Sequence, residues 1–360
     1  MMPRPTTLEI DLGAAGANVR AVRRLVGPAR KIFAVVKADG YGHGAAEMGA
    51  AFVENGADAL GVADLGEGLR LRRRGITAPI LVYPNSLPDA APVTMAHGLT
   101  PTLVDLDGAR AYSEAATTPC DVFVKVDVGL ERLGVPAEQA VKVIAAMMEL
   151  PRLRLAGLCA HPHDAEGRDP AYAEWQLGRF TTVVDELEAR GIPVPVRLFA
   201  ASPFLLKFPQ TYLNAVDPGR MLYGITFPGE ASPVPLAPTF RALTSRIITV
   251  KELVPRERFA DKAPFPVTAP MRLGVIPMGS AAGSTGSMPA ACSSAAAPCP
   301  SCLRRRSSTR GSTSPRCRKP RSGTRWSSSA ARVRARSPWP KWRSGTALAC
   351  TMWPLPWDRA

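Results

Sequence analysis

Residues 31–44 read KIFAVVKADGYGHG. The apolar run from Ile32 to Val36 is unbroken and short, as in a buried strand. It ends on Lys37 and then on a loop with glycines at 40, 42 and 44. A buried strand can end on lysine simply to reach water, and glycine serves any turn. The sharper reading makes Lys37 a reactive amine at the end of a strand. The small-residue loop behind it would then let a bulky bound group come close to the backbone.

On either side of this stretch, short apolar strands alternate with amphipathic helical segments. Strands are expected at 32–37, 59–63, 79–83, 100–105, 121–127, 153–161, 196–202 and 213–219. The segment AYAEWQLGRFTTVVDELEARG (171–191) shows the helical pattern, with Trp175, Phe180, Val183, Val184 and Leu187 near one face and Gly191 as its C-cap. Repeated strand–helix units of this number predict an α/β fold, a (β/α)8 TIM-type barrel. A doubly wound open sheet is the alternative, but no G-x-G-x-x-G follows the first strand. Barrel enzymes gather their chemistry at the C-terminal strand ends, which here offer Lys37, Arg132, His161, Ser202 and the Asp217-Pro218-Gly219 turn. Loops after the seventh and eighth strands often hold phosphate, and Ser202 and Gly219 fall there. A lysine on the first strand facing that site suggests pyridoxal 5'-phosphate held as a Schiff base. The cluster His161-Pro162-His163-Asp164 is too short to argue for a metal site.

Composition changes abruptly near residue 284. The 360-residue chain carries a net charge of +15, yet residues 284–360 contain 15 Lys and Arg against the single acid Asp358. The rest is close to neutral. The same segment lacks Ile, Phe, Tyr, His, Asn, Gln and Glu, and holds five of the seven cysteines and five of the six tryptophans. A basic nucleic-acid-binding arm seldom carries so many cysteines and tryptophans. A zinc module is opposed by the spacing, because only Cys299 and Cys302 form a C-x-x-C pair and no second pair follows. GC-rich codons read out of frame yield this Ser, Arg, Ala, Pro, Cys and Trp mixture, and residues 284–360 are read as such a disordered tail. Nucleic acid is therefore not an expected partner. No apolar run reaches the ~18 residues of a membrane span and MMPRPTTLEID has no signal-peptide core, so a cytoplasmic protein is expected.

VVKADGYGHG strongly resembles the signature of the alanine racemase family, whose members are pyridoxal-phosphate enzymes of fold type III. The likeness continues through TTLEIDLGAAGANV (6–19), KVDVGLERLG (125–134), VDPGRMLYGI (216–225) and RLGVIPMG (272–279). It implies a cofactor-binding barrel over 6–235 and the start of a β-rich C-terminal domain over 236–283, opened by SRIITVKELV (245–254). It also implies a small amino-acid substrate, alanine or similar, and a homodimer where the C-terminal domain is intact. By position, Lys37 would be the Schiff-base lysine and an acid–base catalyst. Tyr41, Ser202 and the backbone at Gly219 and Arg220 would bind the cofactor phosphate. Arg132 would reach the cofactor's phenolic oxygen and the substrate carboxylate, His161 would lie beside the ring, and Lys125 matches a lysine often carbamylated in the family.

Three positions depart from the family pattern. Where the family has an arginine against the pyridine nitrogen, this chain has Asp217, an acid that favours a protonated ring. The family's H-A-A-N-S stretch appears as LFAAS (198–202), keeping only the serine. The second-base tyrosine of G-Y-A-D-G is replaced by Ser280 in GSAAG (279–283). Two alternatives to racemisation therefore stay open at this level. One is a fold-type III protein with an altered reaction, decarboxylase-like or transaminase-like. The other is an inactive, frameshifted homologue.

Overall fold

The computed structural model describes residues 5–163, 169–226 and 231–255, and of the remainder 257, 258, 267, 270–277, 293–294, 297–298 and 332–335. Leu8–Arg241 forms one compact unit, and the chain before and after it another.

In the larger unit eight strands close into a barrel: β1 (Lys31–Val35), β2 (Ala59–Val62), β3 (Ile80–Val82), β4 (Thr100–Leu103), β5 (Cys120–Asp127), β6 (Leu153–Cys159), β7 (Val196–Ala201) and β8 (Ala215–Asp217). Every neighbouring pair is parallel, and the pairing of β8 with β1, Ala215 opposite Lys31, closes the ring. The barrel expectation is met, with strand ends within a few residues of those read from sequence. Helices follow most strands and cover the outside. Several open on the same device, an aspartate at the N-cap. Asp64, Asp105 and Asp169 accept the N–H of Glu67, Gly108 and Tyr172 at 2.9, 2.7 and 3.1 Å. Each such cap contributes about 1 kcal/mol and fixes where a strand-to-helix loop ends.

Alternation along the strands sorts side chains into two cores. Phe33, Leu81, Phe123, Cys159, Leu198 and Ala215 fill the barrel interior. Their chain neighbours, among them Ile32, Ile80, Val122, Leu158 and Val216, face outward into a larger core shared with the helices. Gly157 of β6 belongs to the crowded inside. A Cβ there would lie 2.5 Å from the Val196 carbonyl oxygen and 2.8 Å from the Phe123 ring.

The long helix after β6, Pro170–Ala189, departs from its expected face at one position. Trp175 is 49% exposed, whereas Gln176 is fully buried. The Gln176 side chain accepts from the His163 N–H at 2.6 Å and donates to the His163 carbonyl at 3.2 Å. The N–H and C=O of His163, a residue outside any helix or strand, are satisfied in this way, so the polar residue takes the inside place. Trp175 instead stacks on Tyr172 and lies under the Arg179 guanidinium, 4.5 Å away.

In the smaller unit, Thr249–Leu253 pairs antiparallel with Met271–Val275, and Phe240–Arg246 is also a strand. The expected strand over 245–254 is thus two strands broken at Ile247 and Ile248. Arg332–Ala335 runs antiparallel to Leu243–Arg246. Ser280 and most of the tail lie outside the described residues. Among the described residues, no helix is long and apolar enough to cross a membrane.

Because nothing around Gly157 is the free end of a side chain, Gly157→Ala is expected to cost about 1–3 kcal/mol. Chemical denaturation should show a lower midpoint at unchanged slope.

Candidate active site

Lys37 follows β1 at the C-terminal mouth of the barrel and is exposed there. Its backbone leads into an unusual turn. Ala38, Asp39, Gly40, Tyr41 and Gly42 all have positive φ, between 52° and 81°. Left-handed geometry costs roughly 1–2 kcal/mol at each non-glycine residue, so the neighbours must hold it. Glu67, buried near the start of the helix after β2, does much of this. Its carboxylate accepts the Ala38 N–H at 2.6 Å and the Ala63 N–H at 2.8 Å. It thereby ties the ends of β1 and β2 together. Asp39 accepts from the Ala45 N–H at 2.9 Å. The glycines of the opening motif earn their place as turn residues, and the turn sets Lys37 and Tyr41 in the mouth.

Tyr41 meets the turn after β8. Its ring packs edge-on against Tyr223 at 4.9 Å, and the Tyr223 hydroxyl donates to the Val35 carbonyl at 3.0 Å. The Tyr41 hydroxyl is so close to Gly219 that any Cβ there would collide with it. Burial and the nearby Asp217 carboxyl push the Tyr41 phenol up to about 12, so it stays a donor at neutral pH. Ser202 Oγ is buried beside the same turn and accepts the N–H of Gly219 at 2.9 Å and of Met221 at 3.2 Å. A hydroxyl from β1's turn and a hydroxyl after β7 thus converge on the turn after β8, where Ser202 Oγ takes the N–H groups of Gly219 and Met221. Hydroxyl donors gathered at a glycine turn suit an anion with several oxygens. Arg220 points its guanidinium to the Ile225 carbonyl at 3.1 Å.

The floor beneath Lys37 is built by residues of inward parity. Lys125, Cys159 and Asp217 are all buried, and His161 follows two places after Cys159. Burial governs their titration. It lowers Lys125, helped by Arg132, and it pushes the Cys159 thiol up to about 12. His161 drops to about 3 through burial and then through the charges of Lys125, Lys37 and Arg132, which leaves the imidazole neutral. Asp217 rises to about 7 because burial outweighs the opposing Tyr83 hydrogen bond and the charges of Lys37 and Lys125. The Tyr83 hydroxyl donates to Asp217 Oδ2 at 3.0 Å, while Oδ1 is buried with no hydrogen-bond partner among the described residues.

Arg132 is exposed in the loop after β5. That loop is wound around Asp127, whose carboxylate accepts the N–H groups of Gly129, Leu130, Glu131 and Arg132 at 3.0–3.1 Å. Burial alone would raise Asp127, but the four donated bonds hold it below its ordinary value. Sequence reading found Lys37, Tyr41, Lys125, Arg132, His161, Ser202, Asp217, Gly219 and Arg220, and the barrel gathers all of these at one end. It missed Glu67, Tyr83 and Asp127. Tyr83 alone left a signal, as the strand-end residue two places after the inward Leu81.

Comparison with known proteins agrees with this geometry. The family model described as alanine racemase, N-terminal domain, matches residues 10–227. The alanine racemase of Desulfosudis oleivorans is 38% identical over 289 residues, spanning 76% of this chain and 74% of the relative. That of Methanococcus maripaludis is 32% identical, spanning 79% and 78%. Among solved structures, the alanine racemase of Clostridium difficile 630 superposes with a TM-score of 0.74 at 28% identity, covering 79% of this chain and 76% of its own. That of E. faecalis gives 0.70 at 30% identity, covering 77% and 76%.

A buried acid with a raised pKa makes stability depend on pH in a defined sense. Its unfolded form ionises in the ordinary carboxylate range, whereas the folded one holds its proton up to about 7. Folding is therefore uncompromised below the unfolded value and progressively weakened as pH climbs to about 7. The thermal midpoint of Asp217→Asn should gain on that of the parent over this window and then run parallel. A pH-independent difference would contradict the buried, proton-holding acid.

Proposed function

The chain belongs to the alanine racemase family, and from that premise we propose that it interconverts L- and D-alanine by moving the α-proton, using pyridoxal 5'-phosphate anchored at Lys37. The reading is carried by one observation. Lys37 stands at the same barrel mouth as the Tyr41 and Ser202 hydroxyls gathered at the Gly219 turn, over a floor of buried side chains.

Two features of the chain fit the cofactor. Gly219 lets the Tyr41 hydroxyl close against the turn after β8, where any Cβ would collide with it, and so sets a phenol donor at the backbone of that turn. Asp217 Oδ1 is a buried acceptor that no donor among the described residues reaches. Pyridoxal phosphate supplies an electron sink that acidifies the α-carbon of an amino acid. The protein supplies the rest. Tyr41, Ser202 and the backbone at Gly219 and Arg220 would hold the phosphate, and the neutral His161 would flank the ring without adding charge. Arg132, on the loop ordered by Asp127, would bind the substrate carboxylate. The Lys37 amine would take and return the α-proton on its own face of the substrate. Burial lowers the proton affinity of Lys125, the direction that carbamylation requires. Ser280 holds the place of the opposite base, outside the described residues. Likeness to the family supports a cytoplasmic protein, and a homodimer where the C-terminal domain is intact.

The Lys37→Ala variant should lose the visible absorbance of the cofactor-loaded protein. Racemisation should fall by about three orders of magnitude or more. In heavy water the parent should place deuterium on the α-carbon of both enantiomers of alanine. Label in only one enantiomer, or alanine consumed to another product, would sink the racemase reading.

A further inference from the structure

Asp217 is the inward residue at the end of β8, and what surrounds it has been built for it. Tyr83 begins at the end of β3, on the far side of β2. Its hydroxyl reaches Asp217 because Gly61, the inward residue of β2, has no side chain. A Cβ at Gly61 would lie 2.8 Å from the Tyr83 hydroxyl oxygen and 3.1 Å from its ring. The hydroxyl donates to Asp217 Oδ2 at 3.0 Å and leaves Oδ1 buried, with no hydrogen-bond donor among the described residues. One carboxylate oxygen is thereby pinned and the other presented.

From this geometry we infer that Gly61, Tyr83 and Asp217 form a single acceptor for the protonated ring nitrogen of the cofactor, with Tyr83 as the positioning residue. The inference rests on the cofactor reading above and extends it to how the ring is charged. An ionised Asp217 accepts the ring N–H through Oδ1, while the Tyr83 hydroxyl stabilises that ionised form and fixes its orientation. Lys37 and Lys125 also act on Asp217 and favour the carboxylate, and once Lys37 carries the cofactor it is Lys125 that remains to do so. Cys159 and Tyr41 stand by as neutral groups at pH 7, since burial raises both to about 12. Bringing an N–H donor to Oδ1 removes the one unmet acceptor of this carboxyl. The ring then keeps a proton that draws electrons from the α-carbon.

The test uses the full chain loaded with pyridoxal phosphate labelled with nitrogen-15 in the ring. The chemical shift of that nucleus reports whether the ring nitrogen carries a proton. The parent should show a protonated ring at neutral pH, and Asp217→Asn an unprotonated one. In Tyr83→Phe, and in Gly61→Ala where the new methyl displaces the hydroxyl, the crossover should move to lower pH by about one unit or more. A loss of packing without this role would leave the crossover where it is. If the protein takes up the cofactor and turns yellow but the parent ring is unprotonated, or the crossover ignores Tyr83→Phe, the inference is overturned while the cofactor reading stands. If Lys37 takes up no cofactor at all, both fall together.

Discussion

In a closed barrel every strand must send alternate side chains inward, and the space inside is too small for water and core together. The site depends on this constraint. Phe33, Leu81, Phe123, Leu198 and Ala215 fill the interior, and the inward positions after them hold Tyr83, Lys125 and Asp217. Polar groups at the mouth therefore rest on a dry floor. The consequence is uniform: burial lowers the proton affinity of Lys125 and His161, and raises that of Asp217 and Cys159. Each change moves a group toward its neutral form, as a low-dielectric site requires. A fold that is indifferent to chemistry thus sets the charge state of the groups on which the chemistry depends.

Strands and their order could be read from the sequence because they are local patterns. An apolar run with turn residues at its ends is a strand wherever it sits, and eight of them spaced by helical segments leave few topologies. Lys37, Ser202 and Asp217 were legible for the same reason, since they close such runs. Glu67 was not. It looks like a helix-surface acid in LGEGLR, and its role emerges only when two strand ends lie side by side with N–H groups to satisfy. Asp127 was hidden similarly, because four main-chain donors reach it only once the loop has wound around it. Tyr83 acts across the barrel from β3 to β8, a separation of 134 residues that no periodicity encodes. Trp175 was misplaced because apolar character was weighed without the unmet backbone groups at His163, which Gln176 satisfies.

The turn after Lys37 shows how much support a site can ask of its scaffold. Three non-glycine residues sit in left-handed geometry, and they are held by Glu67 from one side and by the Tyr41–Tyr223 contact from the other. Local preference alone would not choose this turn. Tertiary contacts impose it, and in exchange the lysine and the tyrosine of one short segment are both delivered to the mouth of the barrel.

The Gly61–Tyr83–Asp217 arrangement also bears on how such a sequence could change. A methyl group at 61 would displace the tyrosine, and phenylalanine at 83 would strip the acid of its partner. A basic residue at 217 would set a third positive charge beside Lys37 and Lys125. Each replacement thus disturbs the other two positions, and exchanging the acid for a base at position 217 would have to be accommodated at Tyr83 as well, a change of two codons rather than one.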